Sequence, residues 1–385
     1  MNGQGIKRTD KGGPAGRDIR ITAIAAALLL AVLISGCNAG PAASKDVTTA
    51  AAQTEQTGDA ADTGTPAEST GSAGAAAEPE DTAEPAKVRI VDETVTAESL
   101  RSNMLEEGIE QRIKVVLPPS YDTDTEKRYP VVYFLHGFQE SIGLFGSITE
   151  SLTKQMQSEG VKEFIIVEPN GRNTLGGAFY ANSPVTGNWE DYIVKDIIGY
   201  IDGKYRTIPD AAQRGLAGFS MGGFGALNLG LKHPDVFSSL MILSPGAFDQ
   251  NGLKNAMPTW DASFLNAYGA AFSPNVKGEY PYANIPKFDN TKEDNKIVAD
   301  WENGFGNLKG KIEAYQAMNK PLKAIYISYG SLDSYSWIPE GSAYFSQLLT
   351  EAGIRNENKV FNGGHEIASE VLRSAFVKFF SENLK

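Results

Sequence analysis

Cysteine and histidine are scarce in this sequence, which has one cysteine and three histidines among 385 residues. A single thiol cannot form a disulfide within the chain, so the fold must depend on a hydrophobic core, which a chain of this length can build. Basic residues are fewer than acidic ones, 35 against 47, and the formal net charge is −12 at pH 7. This balance argues against a nucleic-acid partner, because phosphate binding requires clustered lysine and arginine side chains.

The N-terminal part also has no apolar run of membrane-spanning length, since the uncharged stretch 21–33 is shorter than the roughly 20 residues that cross a bilayer. It follows a basic segment and precedes small residues, an order typical of an export signal. The sequence Leu33-Ile34-Ser35-Gly36-Cys37 resembles a lipobox. We therefore predict a lipoprotein signal peptide over 1–37, lipidation of Cys37, and tethering to the outer face of the cell membrane. A secretory signal with an incidental cysteine and an uncleaved anchor are the alternatives.

Residues 38–87 consist mainly of Ala, Thr, Gly, Ser, Glu, Asp and Pro, with almost no large apolar side chains. Such a segment cannot bury enough apolar surface to offset the entropy that is lost on ordering. We predict a disordered tether here, between the signal peptide and a globular domain over 88–385.

Within the predicted globular domain, strand-like apolar runs alternate with segments of helical periodicity. The runs 130–135 and 163–167 are continuously apolar, as expected of strands covered on both faces, whereas 88–91 and 112–117 alternate like half-buried strands. This alternation predicts an α/β fold with a mostly parallel central sheet and helices on both faces. The other predicted strands cover 214–217, 238–243, 323–329 and 358–361, and the predicted helices cover 147–158, 190–204, 223–231, 339–352 and 366–383.

The most informative motif is Gly218-Phe219-Ser220-Met221-Gly222-Gly223, which fits the G-x-S-x-G pattern of a nucleophile elbow. In that motif a serine sits on a tight turn between a strand and a helix, and its hydroxyl projects from the sheet. The flanks agree, because 214–217 is a short apolar run and 223–231 has the small residues of a buried helix. The glycines suit a close backbone approach around the serine. A glycine-rich turn with an incidental serine is the alternative.

A serine hydroxyl needs a base that accepts its proton, and that base is usually a histidine. His233 ends the predicted elbow helix just before Pro234, where its charge favours the helix dipole, so we assign it a structural role. His136 follows the strand 130–135, and His365 lies between the last predicted strand and the last predicted helix. The chain order of serine, acid and histidine in α/β-hydrolases selects His365 as the general base.

The acid that orients this histidine should follow a strand and lie between the serine and the histidine in sequence. Asp333 meets both conditions, because it sits on a short turn after the strand 323–329. The aspartates within the segment 248–321 lie off any predicted strand end. Ser220, His365 and Asp333 are therefore the predicted catalytic triad.

An oxyanion hole needs backbone N–H groups that point at the charge developing on the substrate oxygen. We expect one donor from Met221, the residue after the serine, and a second from the loop after the strand 130–135. In that loop the N–H of Phe138 is the preferred donor and that of Gln139 is the alternative. His136 would then shape the loop rather than accept a proton.

The long segment 248–321 interrupts the alternation of strands and helices. It is rich in aromatic residues, and a structureless loop of this length is uncommon in a compact domain unless it is functional. We interpret it as a partly helical insertion over the active-site side of the sheet, and a packed subdomain away from the site is the alternative. Its aromatic rings would stack on sugars or on a feruloyl ring, or else pack a core within the insertion.

Several spaced motifs carry a resemblance to a known family. They are Leu135-His136-Gly137-Phe138, the run 189–206, Gly218 to Gly223 followed by His233-Pro234, Gly330-Ser331-Leu332-Asp333, and Gly364-His365. Together they resemble the esterase D family of α/β-hydrolases, which includes feruloyl and acetyl-xylan esterases, S-formylglutathione hydrolase and the mycobacterial mycolyltransferases. The resemblance covers about residues 105–384. It implies the α/β-hydrolase fold, the triad and the oxyanion donors named above.

The predicted function is that of a metal-independent serine esterase without a cofactor. His365 would deprotonate Ser220, which would attack an ester carbonyl and release the acid through an acyl-enzyme. Surface tethering favours esters linked to polysaccharides, of feruloyl or acetyl type, over the cytosolic role of S-formylglutathione hydrolase. Two alternatives stay open: an acyltransferase of the mycolyltransferase type with the same triad, and a catalytically silent surface binding lipoprotein.

Overall fold

The computed structural model describes residues 86–250 and 252–384 of the chain. The predicted signal peptide with Cys37, and nearly all of the predicted tether, lie outside these ranges. In the described ranges, no helix has both the length and the apolar character that crossing a membrane would require.

A mixed but mostly parallel sheet forms the centre of the domain. The described strands are β1 (Arg89–Thr96), β2 (Glu110–Leu117), β3 (Val131–Leu135), β4 (Ile165–Pro169), β5 (Asn182–Ser183), β6 (Gly187–Asn188), β7 (Arg214–Phe219), β8 (Ser239–Leu243), β9 (Ala324–Gly330) and β10 (Glu357–Phe361). Strands β5 and β6 pair with each other, and the other eight form one sheet in the order β1-β2-β4-β3-β7-β8-β9-β10. Strands β1 and β2 run antiparallel to their neighbours, and all pairings from β4 to β10 are parallel. This confirms the predicted sheet and places the carboxyl ends of β3, β7, β9 and β10 at one edge.

Helices connect the parallel strands. They are α1 (Thr149–Met156), α2 (Trp189–Asp191), α3 (Ile198–Lys204), α4 (Met221–Lys232), α5 (Gly252–Ala256), α6 (Ala262–Phe272), α7 (Lys292–Trp301), α8 (Leu308–Ala317), α9 (Trp337–Glu351) and α10 (Phe376–Asn383). A π-helical stretch joins α2 to α3, so the predicted helix 190–204 is one continuous helical segment. Two further π-helical stretches follow α7 and precede α10.

The apolar runs of the sequence form strands that are buried on both faces. In β3, three residues point to one face and two to the other, and all five are at most 3% exposed: Val131, Tyr133 and Leu135 against Val132 and Phe134. Helices α3, α4, α8 and α9 contribute to the core on the first face, and α1 and α10 to the core on the second. Burial on both faces explains why the run is continuous rather than alternating in polarity.

The boundaries of two predicted helices need correction. The elbow helix, predicted over 223–231, begins at Met221, directly after the serine that caps it. The last helix is predicted from residue 366, but residues 366–368 precede it and it begins at residue 369. Ile367 and Ala368 pack against the core as part of the preceding loop, which extends the loop that carries His365.

The segment 248–321 is partly helical, as predicted, and contains α5 to α8. Tyr268 and Trp301 are fully buried within it, with ring centroids 4.8 Å apart, so part of its aromatic content forms a core of its own. Phe264 instead contacts Phe138 in the loop after β3, at a centroid distance of 4.9 Å. The segment therefore reaches the loop that was predicted to supply an oxyanion donor.

Lys311 on α8 attaches this segment to the elbow helix. Its Nζ donates hydrogen bonds to Asn228 Oδ1 at 3.1 Å and to the Gly304 carbonyl at 2.7 Å. Burial, with a smaller contribution from the Lys232 ammonium, lowers the pKa of Lys311 to about 8, while the Glu190 carboxylate acts in the opposite direction.

Replacing Lys311 with methionine should change how stability depends on pH. Between pH 8 and 10 the Lys311 side chain is charged in the unfolded chain but mostly neutral in the fold. The unfolded state then binds more protons, so the contribution of Lys311 to stability rises with pH. Because one pKa unit corresponds to about 1.4 kcal/mol, the free energy of unfolding of the wild type relative to Lys311→Met should rise by about 2 kcal/mol across that window.

Denaturant unfolding at several pH values between 7 and 10 measures this difference. Lys309→Met is the matched control, because Lys309 lies on the same helix with a side chain that is 72% exposed. Parallel pH profiles for the wild type and Lys311→Met would contradict the lowered pKa of Lys311.

Candidate active site

Ser220 occupies the turn between β7, which ends at Phe219, and α4, which begins at Met221. Its backbone has φ 56° and ψ −116°, a conformation that residues other than glycine adopt rarely. The Ser220 N–H donates to the Leu243 carbonyl at 3.0 Å, and the Gly246 N–H donates to the Ser220 carbonyl at 3.2 Å. The surrounding backbone thus enforces a strained conformation, which is a common feature of functional residues.

Two glycines of the motif allow backbone segments to approach this turn. A Cβ on Gly218 would lie 2.1 Å from the Gly222 carbonyl oxygen, and a Cβ on Gly222 would lie 1.9 Å from the Leu135 carbonyl oxygen. Both contacts are with backbone atoms, which cannot move aside without displacing α4 or β3. The packing therefore confirms that these two positions require glycine.

The structure brings Ser220, His365 and Asp333 together from loops that follow β7, β10 and β9. His365 Nε2 lies 2.9 Å from Ser220 Oγ, and His365 Nδ1 lies 2.7 Å from Asp333 Oδ2. The Asp333 side chain is fully buried, whereas that of His365 is 19% exposed. Both distances are within the normal range for hydrogen bonds. The imidazole therefore bridges the carboxylate and the hydroxyl that were predicted as its partners.

Two aromatic rings flank the imidazole of His365. The Phe219 ring lies at a centroid distance of 4.9 Å, and the Tyr335 ring meets it edge-on at 5.1 Å. The Tyr335 N–H also donates to Asp333 Oδ1 at 2.9 Å, which leaves Oδ2 for the histidine. Sequence reasoning assigned no role to Phe219 or Tyr335. A signal for Tyr335 would have been its position two residues after the predicted acid, within the same turn.

The other two histidines have different partners. His136 is buried, its Nδ1 lies 2.8 Å from the Gly137 carbonyl, and its Nε2 accepts the Gly171 N–H at 2.8 Å. Burial lowers the pKa of His136, so the ring is held neutral with its proton on Nδ1. His233 follows α4, and its Nε2 lies 2.9 Å from Glu190 Oε1. Both rings hold elements in place, as expected.

The two residues predicted to supply oxyanion donors contact the same glycine, Gly177. As the first residue of α4, Met221 has an N–H without a partner inside the helix. The side chains of Met221 and Phe138 both pack on Gly177, where an added Cβ would lie 2.4 Å from Met221 Sδ and 2.7 Å from Phe138 Cδ2. The alternative donor, the N–H of Gln139, donates to the Gly176 carbonyl at 2.9 Å. Gln139 is thus engaged elsewhere, and Phe138 stays the preferred second donor.

Hydrogen bonds from polar side chains hold the loop after β3 in place. The Tyr180 hydroxyl donates to the His136 carbonyl at 3.0 Å, and the Gly137 N–H donates to Glu140 Oε2 at 2.7 Å. Burial raises the pKa of Tyr180, so its hydroxyl stays protonated and able to donate at neutral pH. A donor group on this loop is therefore held in position before any substrate binds, as oxyanion stabilisation requires.

Two acidic side chains, Glu140 and Glu168, lie near the site. Within the described ranges, no cluster of three or more His, Cys, Asp and Glu side chains is arranged to hold a metal ion. Glu140 and Glu168 border a pocket of about 570 Å³ that His365 also lines. Glu168 accepts the N–H groups of Gly143 at 3.1 Å and Leu144 at 2.8 Å, and burial raises the pKa of its carboxyl group. Through these hydrogen bonds Glu168 holds the loop after β3 in place.

Comparison with known proteins agrees with this architecture. The sequence matches the family described as "Putative esterase" over residues 102–378. It is 26% identical over 283 residues to an esterase of Mycobacterium tuberculosis (strain ATCC 25618 / H37Rv), a match that covers 68% of this chain and 54% of the relative. The chain thus spans about half the length of that relative. It is also 29% identical over 162 residues to an endo-1,4-beta-xylanase/feruloyl esterase of Xylanibacter ruminicola, covering 38% of this chain and 21% of the relative.

Solved structures with the same fold include two hydrolases. A ferulic acid esterase superposes with a TM-score of 0.52 at 22% identity, covering 78% of this chain and 98% of its own. A fluorophosphonate-binding serine hydrolase of Staphylococcus aureus superposes with a TM-score of 0.53 at 16% identity, covering 78% and 99%. At these identities the likeness concerns the fold, which is that of the α/β-hydrolases. With a family match that spans most of the chain, the protein belongs to this esterase family of α/β-hydrolases.

Proposed function

We propose that the protein is a serine carboxylic-ester hydrolase that acts through Ser220, His365 and Asp333. The observation that carries the proposal is the position of the imidazole, 2.9 Å from Ser220 Oγ and 2.7 Å from Asp333 Oδ2. A serine becomes a nucleophile when a base within hydrogen-bond distance can take its proton. Here that base is itself oriented by a buried carboxylate, and membership of the esterase family supports the reaction type.

The first half of the reaction forms an acyl-enzyme. Ser220 Oγ attacks the ester carbonyl carbon while its proton moves to His365 Nε2, and Asp333 stabilises the resulting imidazolium. The N–H groups of Met221 and Phe138 donate to the oxyanion of the tetrahedral intermediate. When that intermediate collapses, the ester C–O bond breaks and the imidazolium gives its proton to the leaving alcohol.

The second half of the reaction releases the acid. Water attacks the acyl carbon while His365 takes one of its protons, and the oxyanion forms again in the same position. Collapse of this intermediate breaks the bond to Ser220 Oγ, which receives the proton back from the imidazolium. The products are the free acid and the original hydroxyl group.

Esters attached to polysaccharides, of feruloyl or acetyl type, are the proposed substrates. Relatives named as ferulic acid and feruloyl esterases support this class. The half-buried rings of Trp260 and Phe264 pack together at 4.7 Å, and Phe264 contacts Phe138. Partly exposed aromatic rings beside an oxyanion donor are suited to stack on a planar acyl group or on a sugar face.

We also propose that the protein is exported, and that Cys37 attaches it by a lipid to the outer face of the cell membrane. A secreted form would have the same substrates within reach. Either location places the enzyme where polysaccharide esters occur outside the cytosol.

A substrate panel with product analysis tests the proposed reaction. We expect the purified protein to release free acid and alcohol in equal amounts from at least one of the acetyl, feruloyl or longer acyl esters of sugars and simple alcohols. If the acyl group appears on an added sugar acceptor with little free acid, the protein is an acyltransferase of the mycolyltransferase type. Turnover of none of these esters would favour a silent binding protein.

A further inference from the structure

A polar pocket of about 300 Å³ lies beside the loop that carries Phe138. One wall comes from residues 172–176, and the other comes from the segment 248–321. The hydrogen bond from the Gln139 N–H to the Gly176 carbonyl, at 2.9 Å, joins the loop to the first wall. The polar side chains of the lining include Gln139, Arg172, Asn173, Ser263, Asn266 and Tyr280.

The lining offers a positive charge and several hydrogen-bond donors. Arg172 is exposed, and its guanidinium makes one hydrogen bond within the described residues, from Nη1 to the Gln139 carbonyl at 3.3 Å, which leaves most of its five N–H donors free. Asn173 is 5% exposed, and its Nδ2 has no hydrogen-bond partner among the described residues. Gln139 Nε2 donates to Ser263 Oγ at 3.5 Å, so the Ser263 hydroxyl proton stays available.

Among the described residues, no acidic side chain lines the pocket, although the net charge of the chain is −12. The ion pairs found in the described ranges do not include Arg172. Glu107 contacts the rim, but its carboxylate accepts the N–H and hydroxyl of Thr174. The pocket therefore presents an unpaired guanidinium, which is suited to a bidentate contact with a carboxylate.

We propose that this pocket binds the carboxylate of an acidic sugar in the alcohol part of the substrate, with Arg172 as its main contact. The inference rests on the proposed ester hydrolysis and adds a substrate class to it. The acetyl and feruloyl groups carry no carboxylate. The carboxylate that would bind Arg172 therefore belongs to the sugar part of the substrate. Because the pocket adjoins the loop of the oxyanion donor Phe138, a sugar held there would carry its ester close to the serine.

Matched pairs of substrates test the inference. Each pair consists of an acetylated methyl glucuronoside and the corresponding methyl glucoside, with the acetyl group on each ring hydroxyl in turn. We expect the wild type to show a kcat/KM about tenfold or more higher for the acidic member of at least one pair, as charge-assisted hydrogen bonds predict. Arg172→Gln should bring that ratio to about 1, and Arg172→Lys should keep part of it.

Arg355→Gln is the matched control, because Arg355 is exposed and precedes β10 at the opposite edge of the sheet, and it should keep the wild-type ratio. The absence of a preference in every pair, or a preference unchanged in Arg172→Gln, overturns the subsite. Hydrolysis of 4-nitrophenyl acetate, measured in parallel, separates the two proposals. If the wild type hydrolyses 4-nitrophenyl acetate but shows no preference for the acidic sugars, the ester-hydrolase proposal holds and the subsite proposal fails. If the wild type hydrolyses neither 4-nitrophenyl acetate nor any ester of the substrate panel, both proposals fail.

Discussion

Replacing Ser220 with alanine should lower kcat for ester hydrolysis by about 10⁴-fold or more, because the variant has no nucleophile with which to form an acyl-enzyme. His365 and Asp333 would keep their 2.7 Å hydrogen bond, and the oxyanion donors would stay in place. A small residual rate above that in water is therefore expected. Steady-state kinetics on 4-nitrophenyl acetate, and on the best ester of the substrate panel, measure the effect.

Ser334→Ala is the matched control for this variant, because it removes an exposed hydroxyl one residue after Asp333. It should keep activity close to that of the wild type. The thermal unfolding midpoint of Ser220→Ala should also stay close to the wild-type value, which separates lost chemistry from lost folding. Activity retained by Ser220→Ala would remove this serine from the mechanism.

Replacing Asp333 with asparagine should lower kcat by about 10³- to 10⁴-fold at neutral pH. The asparagine Oδ1 can still accept the Tyr335 N–H, which donates to Asp333 Oδ1 at 2.9 Å in the wild type. Its amide nitrogen would then face His365 Nδ1 and donate to it. The imidazole proton would have to move to Nε2, where the ring can no longer accept the proton of Ser220.

Glu366→Gln provides the comparison for Asp333→Asn, because Glu366 is an exposed carboxylate directly beside His365. Its kcat should stay within about twofold of the wild type, since adjacent residues direct their side chains apart. If Asp333→Asn lost less than about tenfold while Glu366→Gln lost more, the acid would have been assigned to the wrong carboxylate.

Much of the fold can be predicted from the sequence because buried strands and helices have recognisable local patterns of apolar residues. The continuous apolar run 130–135 is covered by helices on both faces, and this explains both its pattern and its place at the centre of the sheet. The turn at Ser220 could be predicted for a similar reason. Contacts with backbone atoms require glycine at 218 and 222, so the two glycines of the motif follow directly from the geometry of the turn.

Other features depend on contacts between residues that are distant in sequence, and these leave no periodic trace. The hydrogen bond from Gln139 to Gly176 decides which N–H of the loop is engaged, yet nothing in either local sequence indicates it. The polar pocket around Arg172 forms because a segment about 90 residues later in the chain closes over it. Ile367, two residues before the last helix begins at residue 369, likewise packs against a core built from residues that are distant in sequence.

The most direct test of the proposed mechanism is to locate a fluorophosphonate probe by mass spectrometry. Such a probe reacts with a serine whose proton has been taken by a neighbouring base. We expect one modified peptide, with the label on Ser220, no labelling of Ser220→Ala, and strongly slowed labelling of His365→Ala. A label on any other residue of the wild type, or undiminished labelling of Ser220→Ala, would contradict the account.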